Sequence, residues 1–179
     1  MLEFLIPILV AVGALAVAFL IYVALQPSEF RIERTAEISA PADIVFPMIN
    51  DLRQFNKWNP FAKADPSVEL TYSGSGSGVG AAYTWTGKKS GAGQMRIATS
   101  VPSSLVTMDL DFTKPFVAHN IAEFTLTKRG ASTAVTWAMT GRRPFSHKLI
   151  GTLFNMDKMV GGEFAKGLAS LKASVEQSV

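Results

Sequence analysis

The chain contains no cysteine and only two histidines among its 179 residues. Without a thiol there is no disulfide framework, no thiol nucleophile, no thiolate metal site and no lipidated cysteine. That absence fits either side of a membrane, so it leaves the compartment open. His147 has no carboxylate at an adjacent helical spacing, and His119 falls in a strand pattern that turns it to the surface with Ile121 and Glu123. Neither makes a metal or acid–base pair, and no metal or cofactor is expected. Charge is sparse as well: 17 Lys and Arg stand against 14 Asp and Glu, a net of +3. Dispersed along the chain, this is no nucleic-acid footprint and at most a mild attraction to anionic lipid. No internal repeat is visible, which removes solenoids and propellers.

What the chain does have at its start is apolar length. Residues 4–25 carry no charged side chain and suffice to cross a hydrocarbon core of ~30 Å, so residues 1–26 are expected to be a transmembrane anchor. The rival is a cleaved signal peptide, which wants a basic first region and a shorter apolar run, whereas no Lys or Arg precedes Arg31. Tyr22 sits near one end of the span, where its ring meets headgroups, and Gln26-Pro27-Ser28 stops the helix. Residues 27–29 are the linker and 30–179 one folded domain. Arg31 and Arg34, just past the span, place that domain on the cytoplasmic side.

The domain is organised around its last stretch. From 144 to 177, Phe145, Leu149, Leu153, Val160, Phe164, Leu168, Leu171 and Val175 recur at helical spacing, with Ile150, Phe154 and Met159 widening the stripe. The periodicity predicts one long amphipathic helix whose broad face must be covered. Gly151, Gly161, Gly162 and Gly167 each cost roughly 1 kcal/mol there, offset by close approach or room for a ligand, unless they mark a bend. The cover is a sheet. Residues 30–38 alternate as a half-buried strand, and further strands are expected at 67–73, 79–86, 94–101, 105–112, 118–128 and 133–141, parted by turns short enough for antiparallel neighbours. Between the first two strands, Pro41 and Asp43 open one short helix, bent at Pro47, and Asp51 caps a second. The expected fold is α+β: a seven-stranded curved antiparallel sheet around a long C-terminal helix, with two short helices after strand 1.

This order resembles the helix-grip fold of the START-like, or SRPBCC, superfamily. The run Ile38-Ser39-Ala40-Pro41-Ala42-Asp43-Ile44-Val45-Phe46, then Asp51 and Trp58-Asn59-Pro60, is similar to the opening of its polyketide cyclase/dehydrase-like branch. Gly78-Val79-Gly80-Ala81 with Trp85, Thr136-Trp137 with Gly141, and Met156-Asp157-Lys158-Met159-Val160-Gly161 add to it. Members range over lipid carriers, receptors, cyclases and chaperone activators, so the resemblance implies a fold rather than one function. It also implies an apolar cavity between the concave sheet and the last helix. The alternation supplies Tyr83, Trp85, Met95, Ile97, Met108, Leu110, Phe124, Trp137 and Met139 as inward residues, and Leu153, Phe154 and Val160 face them from the helix, with Trp58 near the mouth. Aromatic area and adaptable methionine suit an apolar ligand, though the same set would fill a solid core.

No catalytic residue is assigned. Asp109 and Asp111 share the outward face of their strand. Gly74 to Gly80 lacks the Lys-Ser/Thr ending of a phosphate loop and leads into a strand. Lys88-Lys89 and Arg142-Arg143 lie where strands end, as solvated charge or as a patch for lipid headgroups. The expected function is a membrane-tethered domain that binds an apolar small molecule or lipid without transforming it. Two alternatives are a cyclase or dehydratase that folds a polyketide-like substrate, and a protein-interaction module whose partner the sequence does not name.

Overall fold

The computed structural model describes residues 2–145, 148–149, 151 and 155–177, with side chains from residue 6 onward. Helix α1 (Leu2–Leu25) stands away from the rest: of the side chains from Ile6 to Leu25, only that of Val23 is buried. Its segment Ile6–Leu25 has a mean hydropathy of 2.8, enough by length and composition to cross a membrane, a test a signal sequence also passes.

Seven strands follow the alternation in the sequence: β1 (Glu29–Ile38), β2 (Glu69–Ser73), β3 (Ala82–Gly87), β4 (Gly91–Val101), β5 (Leu105–Lys114), β6 (Ala118–Arg129) and β7 (Ser132–Arg142). They form one sheet in the order β1-β7-β6-β5-β4-β3-β2, every neighbouring pair antiparallel. β2 to β7 are thus a meander, and β1 returns to close it beside β7. One edge of the sheet therefore gathers the start of β1, the end of β7 and the β3–β4 and β5–β6 turns; the opposite edge gathers the end of β1 and the β4–β5 and β6–β7 turns.

The two short helices expected after β1 resolve into four: α2 (Ala42–Val45), α3 (Pro47–Asn50), α4 (Leu52–Trp58) and α5 (Pro60–Ala64). Pro47 splits the first, because it starts a new helix at a position where its missing N–H costs nothing. The Asp51 carboxylate caps α4 by accepting from the N–H groups of Arg53 and Gln54, and Asn59 caps α5 through the N–H of Phe61. Val45, Ile49, Leu52 and Phe55 bury one continuous apolar face against the sheet.

The C-terminal helix, α6 (Met156–Glu176), is shorter than the stripe predicts. Asn155 breaks the register: its ψ of 88° is not helical, and its side chain accepts from the N–H of Lys158 at 2.9 Å as an N-cap. Phe145, Lys148, Leu149 and Gly151 are helical in a separate stretch before it, while Ile150, Leu153, Phe154 and His147 lie outside the described residues. Periodicity cannot see such a break, since an apolar stripe continues across it at the same spacing. Phe164, Leu168, Leu171 and Val175 are buried on the sheet, but Met159 is 60% exposed and does not widen the stripe.

Two glycines of α6 mark close approach. A Cβ at Gly161 would collide with the guanidinium of Arg34, which reaches across from β1 to hold both oxygens of Asp157, at 2.9 and 3.1 Å. This fork is why an arginine occupies an inward position of β1, and it holds the Asp157 carboxyl below its usual range. A Cβ at Gly167 would come within 2.7 Å of the Trp137 ring and 2.9 Å of Pro60. Gly162 meets nothing, so close approach explains only part of the glycine content.

Candidate ligand cavity

The concave face of the sheet is divided. Toward the end of β1, helices α2 to α4 fill it: Ile97, Val106, Met108, Phe124 and Val135 are each no more than 1% exposed. Toward the start of β1, a cavity of about 630 Å³ remains between the sheet, the end of α4, α5 and the first turns of α6. This volume is within the range of small-molecule sites.

Of the residues expected to face a ligand, Tyr83, Trp85, Met95, Leu110, Trp137, Met139 and Val160 line this space. Ile97, Met108 and Phe124 do not; they point to the concave face as expected but in its filled half, packed into the core. Trp58 is a correction too. Rather than standing near the mouth it is fully buried, its Nε1–H donating to the Met48 carbonyl at 2.8 Å and its ring edge-on to Phe55, Phe124 and Trp137 at 4.9, 5.9 and 5.7 Å. Leu153 and Phe154 fall outside the described residues.

Sequence reasoning missed the contribution of α4 and α5, which set Phe55, Asn56, Asn59 and Phe61 against the cavity. The signal was present, since Leu52, Phe55, Asn56 and Asn59 follow the i, i+3, i+4, i+7 spacing of one helix face. Asn120 of β6 and Phe164 of α6 were missed as well.

Inside, the wall is almost wholly apolar, with a few polar groups placed on it. Asn59 Nδ2 donates to Asn56 Oδ1 at 3.1 Å, and Asn56 Nδ2 donates to the Tyr72 hydroxyl at 3.2 Å. Tyr83 lies at this cluster, where burial pushes its phenol up and keeps it protonated, a donor rather than a base. Asn120 is 8% exposed, and its Nδ2 donates to the Met139 sulfur, 3.7 Å away. The buried Trp137 Nε1 has no partner among the described residues.

Among the described residues that line the cavity, the charged side chains are Asp65, Lys89, Lys114, Arg142 and Arg143. Asp65 is 2% exposed and accepts five hydrogen bonds, from the N–H and hydroxyl groups of Ser67 and Ser90 and the N–H of Lys89. These hold its carboxyl well below the usual range, led by the Ser67 hydroxyl. Such a carboxylate fastens the β3–β4 turn and is a poor proton acceptor. Lys89, Lys114, Arg142 and Arg143 surround the opening, Arg143 lying 4.9 Å over the Phe30 ring.

The convex face holds the carboxylates that alternation turned outward. Asp109 lies 3.5 Å from Arg96, and Asp111 lies 2.6 Å from Nδ1 of His119, which is directly opposite it on β6. Glu123, four residues past His119, pairs instead with Arg31 at 3.1 Å. Among the described residues no group of three His, Asp or Glu converges as a metal site.

The model of a family described as polyketide cyclase / dehydrase and lipid transport matches residues 29–176. No curated relative matches the chain. Among solved structures, truncated norcoclaurine synthase from Thalictrum flavum is similar with a TM-score of 0.63 at 14% identity, over 82% of this chain and 93% of that one. The Aha1 dimer from Colwellia psychrerythraea gives 0.59 at 16%, over 82% and 96%. A protein from Chromobacterium violaceum gives 0.58 at 19%, over 84% and 99%. At these identities the likeness is one of fold.

Proposed function

Because the chain belongs to the polyketide cyclase / dehydrase and lipid transport family, we propose that its domain binds an apolar small molecule or lipid-like ligand, held at a membrane by α1. The observation that carries this reading is the half-empty concave face: about 630 Å³ of aromatic, methionine and leucine wall, where the other half of the same face is packed solid. Leaving that wall uncovered forgoes packing that a core of the same sequence could have had, at roughly 20 cal/mol per Å² of cavity surface. A ligand recovers it. Asn56, Asn59, Tyr83 and Asn120 then fix orientation by accepting or donating single hydrogen bonds.

The membrane part rests on the apolar run of α1 and on Arg31 and Arg34 beyond it, which favour the cytoplasmic side for the domain. A cyclase or dehydratase remains the second reading, supported by the family description. Among the described lining residues the Tyr83 phenol is the proton donor such an enzyme would use inside the cavity, because Asp65 is consumed by its hydrogen bonds. The test is native mass spectrometry of the full chain purified in mild detergent, followed by titration with fatty acids, isoprenoids and aromatic polyketide mimics. Saturable 1:1 uptake with unchanged ligand recovered supports a carrier. Converted ligand that disappears in Tyr83→Phe supports the enzyme, and no uptake by the folded chain would leave a protein-interaction module.

A further inference from the structure

The topology puts the apolar helix and the cavity opening at the same edge of the sheet. Leu25 ends α1 and Glu29 begins β1, so residues 26–28 are the whole linker, and a chain of that length reaches ~10 Å at full extension. The join is held further. The N–H of Arg143 donates to the Ser28 carbonyl at 2.7 Å, Lys148 Nζ donates to the Ala24 carbonyl at 3.2 Å, and Val23 is the one buried side chain of the span. Antiparallel pairing then fixes what lies nearby. The edge where β1 starts also carries the end of β7 and the β3–β4 and β5–β6 turns, and these bear Arg142, Arg143, Lys89 and Lys114; all four line the cavity, and Arg142, Lys89 and Lys114 are exposed, so the cavity opens at this edge.

That edge also exposes apolar surface. Phe116 and Val117, at the tip of the β5–β6 turn, are 57% and 84% exposed. On the opposite edge the β6–β7 turn, Arg129-Gly130-Ala131-Ser132, offers no large apolar side chain, and at the β4–β5 turn Val101 is 45% exposed, less than either Phe116 or Val117. Apolar tips set among cations are costly in water and suited to a bilayer surface, where rings and aliphatic carbons enter the acyl boundary and ammonium or guanidinium groups meet phosphates.

We propose that the cavity opening docks onto the anionic surface of the bilayer that α1 enters. Phe116 and Val117 sit among the acyl chains and Lys89, Lys114, Arg142 and Arg143 on the headgroups, so a ligand passes between leaflet and cavity without crossing water. The proposal rests on the anchored, ligand-binding reading above. It makes the tether more than a leash: three residues of linker hold the opening within reach of the leaflet.

A chain without cysteine allows a direct test. Val117→Cys and Ala131→Cys, each labelled with an environment-sensitive nitrobenzoxadiazole, are reconstituted as full chains into phosphatidylcholine vesicles with or without phosphatidylglycerol. With phosphatidylglycerol, the label at 117 should shift to the blue and be quenched by brominated acyl chains, while the label at 131 keeps its emission in water. Adding Lys89→Glu, in the β3–β4 turn, and Lys114→Glu, at the end of β5, both exposed side chains, should return the label at 117 to water while the chain still floats with the vesicles. A wet label at 117 on a chain that resists carbonate extraction overturns the docking and leaves the anchor standing. Extraction by carbonate overturns the anchored reading and the docking with it. Docking unaffected by the charge reversal overturns the role given to the cations.

Discussion

The ring of Trp137 lies flat on that of Phe164, centroids 4.2 Å apart and planes 11° apart, and this stack joins the sheet to α6 at the inner wall of the cavity. Gly167, one turn further along α6, lets the indole in. Replacing it sets two effects against each other. Alanine gains up to ~1 kcal/mol of helix propensity, but overpacking against a ring that cannot swing away costs ~1–3 kcal/mol. Gly167→Ala should therefore destabilise, by up to about 2 kcal/mol once the propensity gain is subtracted. Gly162→Ala, with open space at its Cβ, should stabilise by up to ~1 kcal/mol. Denaturant midpoints of the full chain in detergent compare the two; equal signs would contradict the stack.

The two halves of the concave face should respond differently to the same deletion. Met108 belongs to the filled half and Met95 lines the cavity. Met108→Ala opens a new hole and should cost ~2–5 kcal/mol without changing which ligands fit. Met95→Ala enlarges a space already there, so it should cost less and shift the preferred chain length of bound fatty acids upward. Stability curves and a chain-length series for both variants check this.

Tryptophan emission separates wall from core. Trp85 and Trp137 line the cavity, while Trp58 is enclosed by Phe55, Phe124 and Trp137. Contact quenching by a brominated fatty acid, which acts only at short range, should survive Trp58→Phe and weaken in Trp137→Phe, because Trp85 and Trp137 line the cavity and Trp58 does not. Loss confined to Trp58→Phe would place the ligand elsewhere.

Acid should loosen the opening progressively. Asp65 has its folded value pulled below the ordinary carboxylate value of 3.8, mainly by the Ser67 hydroxyl and the Ser90 N–H. A depressed folded value contributes stability that is complete above the unfolded value and lost as pH falls through the folded one. Asp157, held by Arg34, and Glu176, held by the N–H of Ser39, act in the same direction. Wild type should thus lose stability progressively below about pH 4, and Asp65→Asn should be less stable at neutral pH with a shallower acid loss. Denaturant midpoints across that range, with hydrogen exchange at Lys89 and Ser90, report it.

Local pattern decided much of this protein. Alternation in β1 and β3 to β7 fixed which side chains point to the concave face, because a strand turns its residues to opposite sides whatever lies beyond them. The Asp51 cap and the apolar span of α1 were legible for the same reason: each depends on neighbours within a few residues. What alternation cannot say is which inward side chains touch each other and which touch empty space. Met95 and Met108 look alike in sequence, and only the placement of α2 to α4 over one half of the sheet makes the second core and the first wall. Pairings across strands and helices were equally out of reach. His119 meets Asp111 and Arg34 meets Asp157 because register and the start of α6 at Asn155 bring them together, over separations that no local period spans. The nearness of α1 to the cavity opening is of this second kind, set by the return of β1 beside β7.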